Sequence, residues 1–209
     1  MLVDKAKLTP TQSVFVGYWR SFLCAFRCLL VISADQLVCL FNNSFTSDYH
    51  VRLVAGAEEP LYTPASNGNM AQIHFRHDYV ASALHEISHW CLAGTERLQL
   101  EDYGYWYEPD TRTEAQQKHF ESVEVKPQAI EYALHLSVQR PFRVSADNLA
   151  LIDYDASEFE AKVAKQLARY LVDGLPTRAA IFCRNLLAHA RVTDDLYECL
   201  KKRYEDCSR

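Results

Sequence analysis

The chain has 209 residues, enough for one domain with a full core, and 49% apolar with 23% charged residues argues against wholesale disorder. A net charge of −5, with no Lys/Arg-rich run, argues against general nucleic-acid binding, which needs a basic surface. Seven cysteines, an odd number without a Cys-x-x-Cys pair, indicate reduced thiols in a cytoplasmic protein rather than a disulfide framework.

Residues 1–32 differ from the rest because most of this stretch is strongly apolar, yet Arg20 and Arg27 lie inside it. A signal peptide carries its positive charge before the apolar stretch, and a membrane helix needs about 20 largely uncharged residues. We therefore expect no membrane association. We divide the chain into a dispensable extension over residues 1–32 and a functional domain over residues 33–209.

Beyond the extension, the spacing of apolar residues predicts helices and strands in a regular order. Helical spacing predicts a helix over residues 34–45, and alternating apolar residues predict strands over residues 50–54 and 71–75. The second strand leads into an apolar helix over residues 79–93, and Gly94 is a typical helix end.

The second half of the chain is predicted to be helical. A long helix over residues 113–138 is expected to be interrupted at Pro127, because proline cannot donate a backbone hydrogen bond inside a helix. Three C-terminal helices are expected at about 156–172, 177–190 and 193–206. The order of elements predicts an α+β fold with a small sheet, a pair of longer helices and C-terminal helices.

Residues 85–89 read His-Glu-Ile-Ser-His and are the most informative segment of the chain. Histidines four apart on a helix stand about 40° apart around its axis, so His85 and His89 can reach one metal ion. The apolar residues on both sides predict a buried helix, where two imidazoles and the Glu86 carboxylate are costly without a partner such as a metal. The alternative is two core histidines bonded to backbone carbonyls.

A tight metal site needs a third protein ligand, and the best candidates lie on the long helix. Glu121, Glu124, Gln128 and Glu131 fall on one helical face, and the largely apolar residues between them predict that this face points inward. Glu124 is our predicted ligand, aimed at the metal by the break at Pro127. For Glu121 and Glu131 a solvated position is the alternative, and either one could instead hold a histidine from outside the ligand set.

Two histidines and one carboxylate permit two kinds of enzyme. In non-haem Fe(II) oxygenases these ligands leave open positions for oxygen and substrate. Around zinc, the same ligands would make a peptidase in which Glu86 acts as general base toward a bound water. In the oxygenase interpretation, Glu86 handles protons or supports a ligand. A non-catalytic binding module stabilised by a metal is a third interpretation.

An aromatic loop follows the histidine helix. Tyr105, Trp106 and Tyr107 are predicted to bind substrate, because ring faces attract the ammonium group of a long cationic side chain. Core packing with satisfied hydroxyl groups is the alternative for any single ring.

Five segments together resemble the bacterial elongation factor P hydroxylase family, over about residues 33–190. They are Glu-Glu-Pro-Leu-Tyr-Thr-Pro-Ala at 58–65, His-Glu-Ile-Ser-His-Trp-Cys at 85–91, Gly-Tyr-Trp-Tyr at 104–107, Val-Glu-Val-Lys-Pro-Gln-Ala at 123–129 and Pro-Phe-Arg-Val-Ser-Ala-Asp-Asn-Leu at 141–149. Residues 1–32 have no counterpart in this resemblance.

The resemblance implies an enzyme that modifies a translation factor after its synthesis. Its expected reaction is oxygen-dependent hydroxylation of the β-lysylated lysine of elongation factor P, which is then the protein partner. The resemblance also implies a metallopeptidase-like helix pair and a metal held by His85, His89 and, by motif match, Glu124. The expected cofactor is Fe(II), with molecular oxygen as co-substrate, and neither nucleic acid nor membrane is expected as a partner.

Overall fold

The computed structural model describes residues 32–104, 113–145 and 155–207, and it shows an α+β fold. The helices are α1 (Ala34–Tyr49), α2 (Val80–Leu92), α3 (Glu114–Ser137), α4 (Ser157–Asp173), α5 (Thr177–His189) and α6 (Leu196–Cys207). The strands are β1 (Val51–Ala57), β2 (Leu61–Thr63) and β3 (Ala71–Arg76). Every helix and strand predicted beyond the extension is confirmed, whereas β2 was not predicted.

Helix α1 begins at a capping box and ends in a left-handed residue. The Ser33 hydroxyl accepts a hydrogen bond from the backbone N–H of Gln36, whose side chain accepts one from the backbone N–H of Ser33. At the other end, His50 adopts a φ of 50°, which turns the chain directly into β1. The buried Leu37, Phe41 and Phe45 repeat every four residues and so fix one face of the helix on the core.

The three strands form one sheet with β3 in the middle. β1 pairs with β3 in parallel, and β2 pairs with β3 antiparallel. On β3 the buried Ala71, Ile73 and Phe75 alternate with less buried residues, as the period of a half-covered strand requires. β2 has only three residues, too few for alternation to be recognised in the sequence.

The C-terminal end of helix α2 packs against an aromatic cluster. Trp90 lies in edge contact with Phe41 and Phe45, with ring centroids 5.3 and 4.8 Å away. The guanidinium of Arg178, on α5, stacks over the Trp90 ring at 4.6 Å and donates to the carbonyl oxygens of Cys91 and Ala93. Because these contacts secure its C-terminal end, α2 is a rigid support for the two histidines.

Helix α3 packs against α2 and runs through Pro127 without interruption, so the predicted break is wrong. Pro127 cannot donate to the carbonyl of Val123, which is a residue 37% exposed. The loss of one hydrogen bond is small compared with the packing that holds the rest of the helix. The likeness of the α2–α3 pair to metallopeptidases stays a prediction.

Residues 1–31 lie outside the described part of the chain, so the prediction that the extension over residues 1–32 is dispensable stays a prediction. Two shortened chains, cut at either side of Ile32, would test it. Ile32 is 4% exposed and belongs to the core. We expect a chain that begins at Val31 to unfold at the same temperature as the full chain and to bind the same amount of metal. Thermal unfolding and metal analysis measure both. A lower midpoint, or loss of soluble protein, would contradict the prediction.

A chain that begins at Ser33 is the matched comparison, because it also lacks the Ile32 side chain. We expect its free energy of unfolding to fall by about 1.5–3 kcal/mol, the value of burying one such side chain. Among the described helices, none combines the length and the apolar character needed to cross a membrane.

Candidate metal centre

The two motif histidines and Glu124 come together where α2 faces α3. Among the described residues, one ligand atom from each of His85, His89 and Glu124 lies within 4.8 Å of the other two. The Nε2 atoms of the two histidines are 3.2 Å apart, and Oε1 of Glu124 is 3.4 Å from Nε2 of His89. We call these three residues the ligand cluster.

The electrostatics of the ligand cluster favour a cation. The side chains of His85, His89 and Glu124 are only 25%, 15% and 7% exposed. Burial opposes a charged ring, but the neighbouring carboxylates, Glu131 foremost, outweigh it and raise the pKa of His85 to about 10. Without a metal, a proton therefore supplies positive charge among these atoms at neutral pH. The donor set of two imidazoles and a carboxylate fits a divalent metal in its place.

Glu131 lies outside the ligand cluster, on the far side of His85. Its Oε2 is 2.9 Å from Nδ1 of His85, and its Oε1 is 3.5 Å from Nε2 of His135. Burial favours the neutral carboxyl group, but the two histidines outweigh burial and lower the pKa of Glu131 to about 2. Because an ionised carboxylate only accepts, Nδ1 of His85 carries a hydrogen toward Glu131. When a metal replaces the second proton, Nε2 of the then neutral ring would offer its lone pair to the cluster.

The prediction that the polar face of α3 points inward is confirmed. Glu121, Glu124, Gln128 and Glu131 are all at most 6% exposed. Glu121 accepts a hydrogen bond from Nε2 of Gln117 at 3.2 Å and is not part of the ligand cluster. Of the three candidate carboxylates, the geometry places Glu124 in the ligand cluster, whereas Glu131 contacts His85 from outside it.

Glu86 is half-buried on α2 beside the ligand cluster. Burial raises the pKa of its carboxyl group, and the charges of His85 and His89 oppose that shift. A carboxyl group with a raised pKa next to the cluster is suited to holding a proton. The catalytic role of Glu86 stays a prediction.

Tyr103, the first residue of the predicted aromatic loop, is a neighbour of the site. Its ring lies parallel to that of His89, with centroids 6.3 Å apart, and stacks on Tyr62 at 4.3 Å. Its backbone is left-handed, with φ at 56°, and its buried hydroxyl has no hydrogen-bond partner in the described part of the chain. With His89, Arg97 and Pro127 it lines a cavity of about 210 Å³. This cavity therefore adjoins the ligand cluster.

The predicted substrate residues Tyr105, Trp106 and Tyr107 lie outside the described residues. Their role therefore stays a prediction. The described loop before them, which ends in the turn Glu101–Gly104, is held by a hydrogen bond from the backbone N–H of Tyr62 to Oδ1 of Asp102 at 2.8 Å.

Comparison with known proteins supports the resemblance seen in the sequence. Residues 40–198 match a protein family described as elongation factor P hydroxylase. The chain is also 43% identical over 163 residues to the elongation factor P lysine hydroxylase of Haemophilus influenzae, an alignment that covers 78% of this chain and 92% of that protein. The matched region contains the motif helix and the glutamates of α3. The chain belongs to the elongation factor P hydroxylase family.

Proposed function

We propose that this protein hydroxylates the β-lysylated lysine side chain of elongation factor P in the cytoplasm, with a metal in the ligand cluster and molecular oxygen as co-substrate. The observation that carries the proposal is the convergence of His85, His89 and Glu124 within 4.8 Å, in a chain of this family. The name of the relative from Haemophilus influenzae supports lysine as the site of hydroxylation.

Fe(II) is the metal that we propose, held by His85, His89 and Glu124. When bound by two histidines and one carboxylate, it supplies the oxygen chemistry of non-haem iron oxygenases. Both histidines belong to one rigid helix, so their spacing is set before the metal arrives. This preorganisation favours a defined site over adventitious binding.

The residues around the ligand cluster would orient the substrate and exclude water. Glu86 holds or moves a proton at its carboxyl group, and Glu131 orients the His85 ring through Nδ1.

Hydroxylation places one oxygen atom in the product and reduces the other to water, so the reaction also consumes two electrons from a reductant. The family relation supports elongation factor P as the protein that presents the lysine.

The intact mass of β-lysylated elongation factor P tests the proposal. After incubation with the Fe(II)-loaded protein, oxygen and ascorbate, we expect a gain of one oxygen atom on the lysylated lysine. The unlysylated factor and an anaerobic reaction are the controls, and neither should gain mass. Cleaved peptides would instead support the zinc peptidase, and retained binding with unchanged mass would support the non-catalytic module.

The aromatic loop provides a prediction about substrate binding. We expect Tyr105→Ala and Trp106→Ala each to raise KM for the lysylated factor by about 2- to 30-fold, because a cation–π contact contributes about 0.5–2 kcal/mol. Metal content and the unfolding temperature should not change. Tyr105→Phe keeps the ring face and is the matched control. Its KM should be near that of the enzyme without substitutions. Loss of metal or of folding in the alanine variants would instead show that the rings belong to the core.

A further inference from the structure

Gln128, on α3, is fully buried, and its amide is paired with the backbone of Ser145. The backbone N–H of Ser145 donates to Oε1 of Gln128 at 3.0 Å, and Nε2 of Gln128 donates to the carbonyl oxygen of Ser145 at 2.8 Å. A backbone N–H only donates and a carbonyl only accepts, so this pair determines which end of the amide is the oxygen. Ser145 thus fixes the direction of the Gln128 donor.

The fixed amide points its second N–H at Glu124. Nε2 of Gln128 lies 3.3 Å from Oε2 of Glu124, while Oε1 of Glu124 lies 3.4 Å from Nε2 of His89. One carboxylate oxygen is therefore occupied by a hydrogen bond, and the other faces the histidines. This division between the two oxygens is imposed by a backbone contact 17 residues away along the chain.

We propose that Gln128 is a positioning residue that leaves Glu124 a single oxygen for the metal, and that the backbone of Ser145 sets its orientation. The proposal rests on the proposed function, because it needs a metal in the ligand cluster. Without the Gln128 donor, Oε2 of Glu124 is free to coordinate as well. A carboxylate bound through both oxygens occupies a further coordination position, which oxygen or substrate requires.

A second chain of contacts ends on the same backbone. Glu131 contacts both His85 and His135, and Nδ1 of His135 donates to the carbonyl oxygen of Pro141 at 2.8 Å. The segment Pro141–Ser145 thus holds Gln128, the partner of Glu124, directly. Through His135 it also holds Glu131, the partner of His85. We call it the anchor segment, and its two end residues are exposed.

Gln128→Met tests the proposal in the full-length protein, with Co(II) as the probe. Methionine keeps the length and burial of the side chain but removes both ends of the amide. We expect Co(II) to bind about tenfold more weakly, as is usual when an outer partner of a metal ligand is lost. The ligand-field absorption bands of the Co(II)-loaded variant should also shift, because Glu124 then coordinates differently.

Gln117→Met is the matched control. Gln117 is equally buried on the same helix, and it donates to Glu121 at the same four-residue spacing as Gln128 to Glu124. We expect Gln117→Met to leave Co(II) affinity and the absorption bands unchanged, although it can lower the unfolding temperature. A shift of affinity and bands in Gln128→Met that is absent from Gln117→Met supports positioning over a general loss of packing.

Ser145→Pro tests the backbone contact without altering the site itself. Proline removes the N–H that donates to Gln128, and its ring carbon takes the place of that hydrogen. We expect Co(II) affinity to fall by about threefold to tenfold and the bands to move in the same direction as in Gln128→Met. This variant keeps the proposal testable if the buried substitution does not fold.

The outcomes separate this inference from the proposed function. If the protein without substitutions binds Co(II), and Gln128→Met and Ser145→Pro match it in affinity and absorption, the positioning role of Gln128 is overturned. The metal centre then stands. If the unmodified protein binds no metal at all, the proposed function fails and the inference fails with it. Weaker binding with shifted bands in either variant supports the inference.

Discussion

Glu124→Ala is expected to lower metal affinity more than about 100-fold and to abolish hydroxylation of elongation factor P. The loss exceeds that of an outer partner, because Glu124 is the carboxylate of the ligand cluster and directly neutralises the metal's charge. Its Oε1 faces His89, and no other described carboxylate joins the cluster. Equilibrium dialysis with Fe(II) or Co(II) measures the affinity, and intact mass measures the reaction.

Glu121→Ala is the control for this prediction, since it removes a buried carboxylate three residues earlier on the same helix. It should keep its metal and most of its activity, because Glu121 pairs with Gln117 away from the cluster. Full metal occupancy in Glu124→Ala would show that Glu124 is not a ligand. Glu121 and Glu131 would then be the next carboxylates to replace.

The parts of the fold that were predicted from the sequence are those in which local periodicity determines which residues share a face. Histidines four apart share a side of any helix, and this is how α2 presents His85 and His89. The same reasoning placed Glu124 and its neighbours on the inward face of α3, which the structure confirms by their burial. Their roles as ligands stay predictions.

The features that the sequence did not reveal depend on contacts between distant segments. Pro127 was expected to break α3, but packing against several helices outweighs one lost hydrogen bond at the exposed Val123. Left-handed backbone at Tyr103 leaves no pattern in the sequence, because it is not a glycine. The pairing of Gln128 with Ser145 spans 17 residues, and no periodicity signals it.

Glu131→Ala is expected to lower metal affinity by about 10- to 100-fold although Glu131 does not face the metal. Oε2 of Glu131 lies 2.9 Å from Nδ1 of His85 and keeps a hydrogen on that nitrogen. Nε2 is then the ring nitrogen that can coordinate the metal. Alanine leaves His85 to adopt either tautomer and removes the buried negative charge between His85 and His135. We also expect the metal-free variant to lose about 3–5 kcal/mol of unfolding free energy, because a buried pair is broken.

Glu131→Gln separates two possible causes of the lower metal affinity, the orientation of the His85 ring and the negative charge of Glu131. A glutamine can still accept a hydrogen bond from Nδ1 of His85 through its amide oxygen, so the ring keeps its tautomer while the charge is lost. If orientation is the main effect, Glu131→Gln should bind metal within about tenfold of the unmodified protein, and Glu131→Ala should bind more weakly than Glu131→Gln. Equal losses in both variants would show that the charge of Glu131 matters more. Unchanged metal affinity in Glu131→Ala would contradict any role for it in the metal centre and leave its contact with His85 a contribution to folding alone.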